Sequence, residues 1–274
     1  MYFDSHTHIN NEGYSDAARA TLIRDIEASS VDYTVDVGFD LPSSRMAATH
    51  ALFYPWCYAA VGVHPHNASE LTQEVLDAME RLTAEEDVVA IGEIGLDYFR
   101  NLSPKNVQIN AFQKQIALAL KLKMPIVIHD RDSDGDVMRI LEESGAFSEE
   151  RKRQFPRNPE TGKADARVLL HCFSGTAEDA LDAIEHGCTI SFSGTVTYKK
   201  NDKTQNAAMK TPFAHMLVET DAPYLAPEPY RGKKNTSPLI AYTVQKIAAL
   251  RGVSEKELAE WTKQNALRFF GIHT

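Results

Sequence analysis

The stretches VVAIGEIGLD (88–97), VQINAFQKQIALALKL (107–122) and PIVIHDRD (125–132) decide the fold. The first and third are short and almost continuously apolar. A strand with one face in water would alternate, so these two belong to a sheet covered on both faces. The middle stretch has the pattern of a helix. A strand, a helix and a second strand in succession make a crossover with parallel strands.

The same unit repeats in both directions along the chain. MYFDSHTHI (1–9), VDYTVDVG (31–38) and WCYAAVGVHPH (56–66) read as strands, separated by helical segments at 16–29 and 41–54. A third helical segment, 72–84, leads back to the quoted unit. Beyond it come a helix at 133–144, RVLLHCFSG (167–175), a helix at 177–187, CTISFSG (188–194) and HMLVETDAPYL (215–225). Strands seven and eight are joined by a ragged segment carrying Lys199 and Lys200, and two helices close the chain. The second opens with Ser254 and Glu257 at capping-box spacing. Eight β/α units predict a (β/α)₈ barrel, one domain over residues 1–274, with a doubly wound open sheet as the alternative. An extra C-terminal helix and a polar surface insertion, SEERKRQFPRNPETGKAD (148–165), complete it.

The 274 residues carry a formal net charge of −9 and no Lys/Arg block. That argues against a broad basic surface for duplex DNA, so a polyanionic substrate needs local attraction, which a metal supplies. Cys57, Cys172 and Cys188 are odd in number and lack C-x-x-C spacing, which argues against a disulfide framework or a zinc knuckle. YFDSHTHIN is too polar for a signal peptide and no apolar run approaches membrane-spanning length. A cytoplasmic location is expected, with no membrane contact and no obligate protein partner.

Chemistry in such barrels collects where strands end. In FDSHTHIN (3–10), strand alternation puts Asp4, His6 and His8 on one face and Phe3, Ser5 and Thr7 on the other. The later strands end in His64, Glu93, His129, His171 and Asp221. Such groups ending apolar strands are costly unless paired or metal-bound. Imidazoles and carboxylates together suit one or two divalent ions, and a carboxylate in mid-ring, Glu93, is the natural bridge. Asp221 is placed to act as general base. Gly92 and Gly95 would let the backbone pass close to a ligand. Arg131, Lys199 and Lys200 are candidates for phosphate contacts, with Arg100, Arg231, Lys233 and Lys234 nearby, and Tyr98 and Tyr224 for stacking a base.

DSHTHIN, GVHPH, IGEIGLDYFR, QINAFQKQIALALKLKMPIVIHDRD, LHCFSG, ETDAPYLAP and RGKKNTSP occur in that order. They resemble the signatures of the TatD family of metal-dependent deoxyribonucleases, essentially end to end. The resemblance implies a (β/α)₈ barrel with two divalent ions, Mg²⁺ or Mn²⁺ in activity, and a site that Zn²⁺ or Ni²⁺ can also fill. It assigns His6, His8 and Asp221 to one ion, His129 and His171 to the other, and Glu93 to both. It further places His64 near substrate phosphate and Glu219 behind the ligands. The implied activity is 3′–5′ exonucleolytic cleavage of single-stranded DNA. The same site chemistry also suits an ester or amide hydrolase such as a D-aminoacyl-tRNA deacylase. The insertion before strand six and the extra residue in RGKKNTSP depart from the family pattern, and the first suggests altered contacts near His171.

Overall fold

A computed structural model describes residues 1–273. Strands β1 (Tyr2–Thr7), β2 (Val31–Val37), β3 (Cys57–Val61), β4 (Val88–Asp97), β5 (Ile126–Arg131), β6 (Val168–Leu170), β7 (Cys188–Phe192) and β8 (Met216–Val218) pair in sequence order. Every ladder is parallel. The seam between β8 and β1 is closed mainly by the segment that follows β8. Asp221 N donates to His6 O at 2.9 Å, and His8 N donates to Ala222 O at 2.7 Å. The sheet is thus a nearly closed eight-stranded barrel.

Helices α1 (Asp16–Glu27), α2 (Leu41–Phe53), α3 (Gln73–Leu82), α4 (Lys105–Leu122) and α5 (Asp136–Glu143) alternate with the first strands. A short α6 (Glu149–Lys152) precedes β6, and α7 (Ala177–His186), α8 (Asp202–Lys210), α9 (Ile240–Arg251) and α10 (Glu255–Phe270) complete the outer ring. The Ser254–Glu257 capping box opens α10 as its spacing predicts. Helix α8 stands where the sequence looked ragged. Its buried face is Thr204, Ala207 and Ala208, so it carries no large apolar periodicity to detect.

Two layers of core result. One lies between strands and helices and includes Ile26, Ile91, Ile116, Ile128 and Ile140. The other fills the barrel axis with Phe3, Val35, Ala60, Ala90, Val127, Leu169 and Leu217. The end of α10 joins the axial layer, with Phe270 stacked on Phe3 at 6.1 Å between centroids. This seals the amino end of the barrel.

The structure revises three expectations. The β1–β2 register shifts between Asp4 and Thr7, which breaks the alternation in FDSHTHIN. Phe3, His6 and His8 all face inward as a result, while Asp4 accepts hydrogen bonds from Thr220 N (2.8 Å) and Oγ1 (2.6 Å). The insertion lies at the amino end of the barrel, opposite His171. Its buried Arg151 donates to Met124 O (2.6 Å) and Ala166 O (3.3 Å), and Asn158 Nδ2 donates to Ala214 O (3.1 Å). Gly95, at φ +144°, serves strand packing, because a Cβ there would strike the His129 carbonyl of β5.

Candidate metal centre

Glu93 is buried, and its two oxygens face different sets of imidazoles. Oε1 lies 2.7 Å from His129 Nδ1, 2.7 Å from His171 Nε2 and 3.6 Å from His64 Nε2. Oε2 lies 3.5 Å from His6 Nε2 and 3.8 Å from His8 Nε2. Asp221 Oδ1 adds a second carboxylate 3.5 Å from His8 Nε2 and 4.0 Å from His6 Nε2. A register shift between Ile91 and Ile94 in the β4–β5 ladder accompanies the turning of Glu93 into the ring. His171 and Asp221 follow strands β6 and β8 of three residues each, so both stand at the mouth.

The outer nitrogens of three of these rings are fixed by the protein. His8 Nδ1 donates to Val37 O at 2.7 Å. His171 Nδ1 lies 3.3 Å from Glu219 Oε1, and His129 Nε2 lies 3.3 Å from Asp97 Oδ2. When the ring is neutral, such partners keep its proton on the outer nitrogen and leave the inner one as a lone pair. His64 differs. Its Nδ1 accepts from His66 N at 3.1 Å, so its proton sits on Nε2 and the ring donates toward Glu93.

The electrostatics follow from this crowding. Burial would raise the Glu93 pKa, but His171, His64 and His129 hold it well below the usual carboxylate range. Burial opposes a charge on His171, yet Glu93 and Glu219 outweigh it and hold the pKa well up. At His8 burial is again overcome, by Asp221 and Glu93, and the pKa rises to about 9. Burial and the neighbouring His171 lower His6, and burial with His129 keeps His64 neutral.

The residues fit divalent ions. Donor atoms about 2.1 Å from one ion stand roughly 3.0–3.5 Å apart, and His6 Nε2 and His8 Nε2 are 3.2 Å apart. His6 is wholly buried with no hydrogen-bond partner for Nδ1. Triads of donors lying within 4.8 Å of one another are His6–His8–Glu93, His6–His171–Asp221 and His64–Glu93–His129. The expected halves share a wall, since the His6 and His171 rings stack at 3.9 Å.

The ring opens into a cleft of about 1080 Å³. Arg100, Arg131, Arg231 and Lys233 line it, and so does Tyr224. Three sequence candidates lie elsewhere. Tyr98 turns its hydroxyl to Asp136 Oδ2 at 2.7 Å and carries Lys105 over its ring, while Lys199 and Lys200 are solvent-facing residues outside the lining. Sequence reasoning passed over Asp97, which joins His66 (2.7 Å) to His129. Its signal was position, four residues after Glu93 at the end of β4. Asn235 ties down the loop after β8, with Nδ2 donating to Thr220 O (2.8 Å) and Tyr224 O (2.7 Å).

Residues 3–271 match the family model described as TatD related DNase. The chain belongs to the TatD family. It is a metal-dependent hydrolase of that family, and its relatives share its length. The metal-dependent hydrolase YabD of Bacillus subtilis is 38% identical over 273 residues, covering 100% of both chains. The 3′-5′ ssDNA/RNA exonuclease TatD of Citrobacter rodentium is 34% identical over 254 residues, covering 89% of each. The crystal structure of YJJV, a TatD homologue from Escherichia coli K12, superposes with a TM-score of 0.84 at 24% identity, covering 99% and 98% of the two chains. Among the described residues no helix is long and apolar enough to cross a membrane.

Proposed function

We propose that this protein is a deoxyribonuclease that shortens single-stranded DNA from its 3′ end, using two divalent ions. The observation that carries the reading is Glu93, one buried carboxylate dividing its oxygens between two groups of imidazoles. His6, His8 and Asp221 would hold one ion, His129 and His171 the other, and Glu93 both. Mg²⁺ or Mn²⁺ suits the reaction, and Zn²⁺ or Ni²⁺ suits the same nitrogen-rich set. Ions bound here supply positive charge that lowers the pKa of water and stabilises charge developing on phosphate oxygens.

The chain's own groups do the rest. Asp221, which lines the cleft, takes the proton from the attacking water. His64 presents a proton on Nε2 to a non-bridging phosphate oxygen, which matches its tautomer. Asp97 and Glu219 hold the His129 and His171 rings from behind. Arg100, Arg131, Arg231 and Lys233 offer charge along the cleft to flanking phosphates. A small acyl ester or amide would have no use for that series of cations, so they favour a substrate with a phosphate chain, which an aminoacyl-tRNA also has. The TatD exonuclease of Citrobacter rodentium supports the choice of nucleic acid.

The test is an assay of metal-stripped protein reloaded ion by ion against 3′- and 5′-labelled single-stranded DNA, a D-aminoacyl-tRNA and a simple phosphodiester. Stepwise shortening of the single strand with Mg²⁺ or Mn²⁺ is expected. Untouched DNA alongside a hydrolysed acyl ester would replace the nuclease by the deacylase.

A further inference from the structure

Two large aromatic rings stand exposed on the cleft wall. Phe99 is 63% exposed and Tyr224 53% exposed, and both line the cleft. Phe99 follows β4, where Asp97 pairs with Arg131 of β5, and the Arg131 guanidinium lies 4.4 Å from the Phe99 ring centroid. Tyr224 follows β8 and is pinned around its ring. Its hydroxyl accepts from Asn11 Nδ2 at 2.9 Å, its N donates to Asp221 O at 2.8 Å, and its ring edge meets His8 at 6.1 Å between centroids.

Strand order gives their relation. In a barrel of eight strands paired in sequence, β4 and β8 lie across the axis from each other. The Phe99–Arg131 pair therefore stands on the His129 side of Glu93, and Tyr224 on the His8 side. Each ring has a polar partner against it, Arg131 for Phe99 and Asn11 for Tyr224, and still exposes more than half of its surface.

We propose that Phe99, backed by Arg131, and Tyr224 are two stacking platforms for unpaired nucleobases, one on each side of the scissile phosphate. The inference rests on the nuclease reading and deepens it. Every nucleobase has a π-face, so such platforms tolerate any sequence. In a duplex each base face is already covered by its neighbour, so neither platform finds a free one. The preference for single strands then comes from the cleft wall, on a protein whose net charge of −9 gives duplex DNA little general attraction. The smallest unit that fills the site is a dinucleotide, base–phosphate–base.

The test pairs protein variants with abasic substrates. Metal-loaded wild type, Phe99→Ala, Tyr224→Ala and Phe99→Trp are assayed on single-stranded oligonucleotides with a base missing 5′ or 3′ of the cleaved bond. Phe99→Ala should raise KM about tenfold on the intact strand with little change in kcat. It should have no further effect when the base missing is the one Phe99 stacks, and Tyr224→Ala should behave likewise for the opposite side. Phe99→Trp should restore KM, and its emission should be quenched by the intact strand and less by the matching abasic one. Equal losses on intact and abasic strands, or both variants reporting the same side, overturn the proposal while the nuclease stands. A wild type that cuts no oligonucleotide overturns the nuclease reading and the platforms with it.

Discussion

The two ends of the barrel bury charge in opposite ways. At the carboxyl end, imidazoles and carboxylates face one another across a cleft, and their inner nitrogens and oxygens converge on shared points. At the amino end, Arg151 and Arg167 are as deeply buried, yet each guanidinium reaches backbone carbonyls: Met124 and Ala166 for Arg151, Phe269 for Arg167. Phe155 lies against both, 4.7 and 5.0 Å from the two guanidinium carbons. The same strands run between these ends. Polar groups aimed at each other leave room for a ligand, whereas polar groups aimed at the backbone fasten the fold. In such barrels the first end carries function and the second stability.

The contrast breaks most sharply at Glu93. Glu93→Gln keeps the shape and removes the charge that both imidazole groups face. Turnover by metal-loaded protein should fall at least about a thousandfold, with the melting temperature within a few degrees of wild type. Wild-type rates in a metal-saturated sample would end the bridging assignment. Arg151→Ala probes the other end. It removes a buried side chain and leaves two carbonyls without donors, at a cost of about 3 kcal/mol. Denaturant unfolding should register that loss while kcat at a permissive temperature is unchanged. A variant that unfolds as late as wild type would mean that the insertion is not fastened to the barrel through Arg151.

Much of this division is legible in the sequence. Parallel strands covered on both faces have to be apolar throughout, so the imidazoles and carboxylates ending them stand out. The barrel, its order and the convergence of His6, His8, His64, Glu93, His129, His171 and Asp221 follow from that pattern. What stays hidden depends on register and loop path. A one-residue shift in β1 turns Asp4 outward, and no local pattern announces it. Asp97 gains its meaning from His66 and His129, which come from two other strand ends. Tyr98 and Phe99 are adjacent aromatics, and the bend after β4 alone decides which one reaches the cleft.

A pH series sharpens the comparison, because His8 and His171, whose pKa values are raised, stand at the carboxyl end. Without ions, the folded state holds a proton on His8 up to about pH 9, against about 6.5 when unfolded. That contribution to stability is complete below pH 6.5 and lost as the pH rises through 9. A bound ion needs the neutral ring, so ion affinity rises over the same window and each binding event releases protons. Metal-free protein should melt about 5 °C lower at pH 9 than at pH 6.5, and the gain from added ion should be larger at pH 9. His8→Ala should flatten both trends. Parallel melting curves for the metal-free and loaded forms across the window would show that the imidazoles are not charged in the empty ring.

The smallest effect is expected at Lys199 and Lys200. By sequence they were candidates for holding DNA, since they precede strand eight on the loop side of the barrel. The structure turns them to solvent just outside the cleft, while Tyr198 and Asn201 on either side line it. An exposed lysine contributes to phosphate binding in proportion to the counterions it displaces, and a full contact steepens the salt dependence by nearly one unit on single strands. Lys199→Ala with Lys200→Ala should therefore change the slope of log Kd against log salt by less than about half a unit. Arg231→Ala should change it by close to one contact, about 0.7. Arg231 lies inside the cleft with its guanidinium 4.3 Å from the Tyr198 ring centroid, so its charge is already placed. Fluorescence anisotropy with a labelled single strand across a salt series measures both slopes. If the lysine pair moves the slope more than Arg231 does, the strand leaves the cleft over the β7–α8 loop and the boundary of the binding surface must be redrawn there.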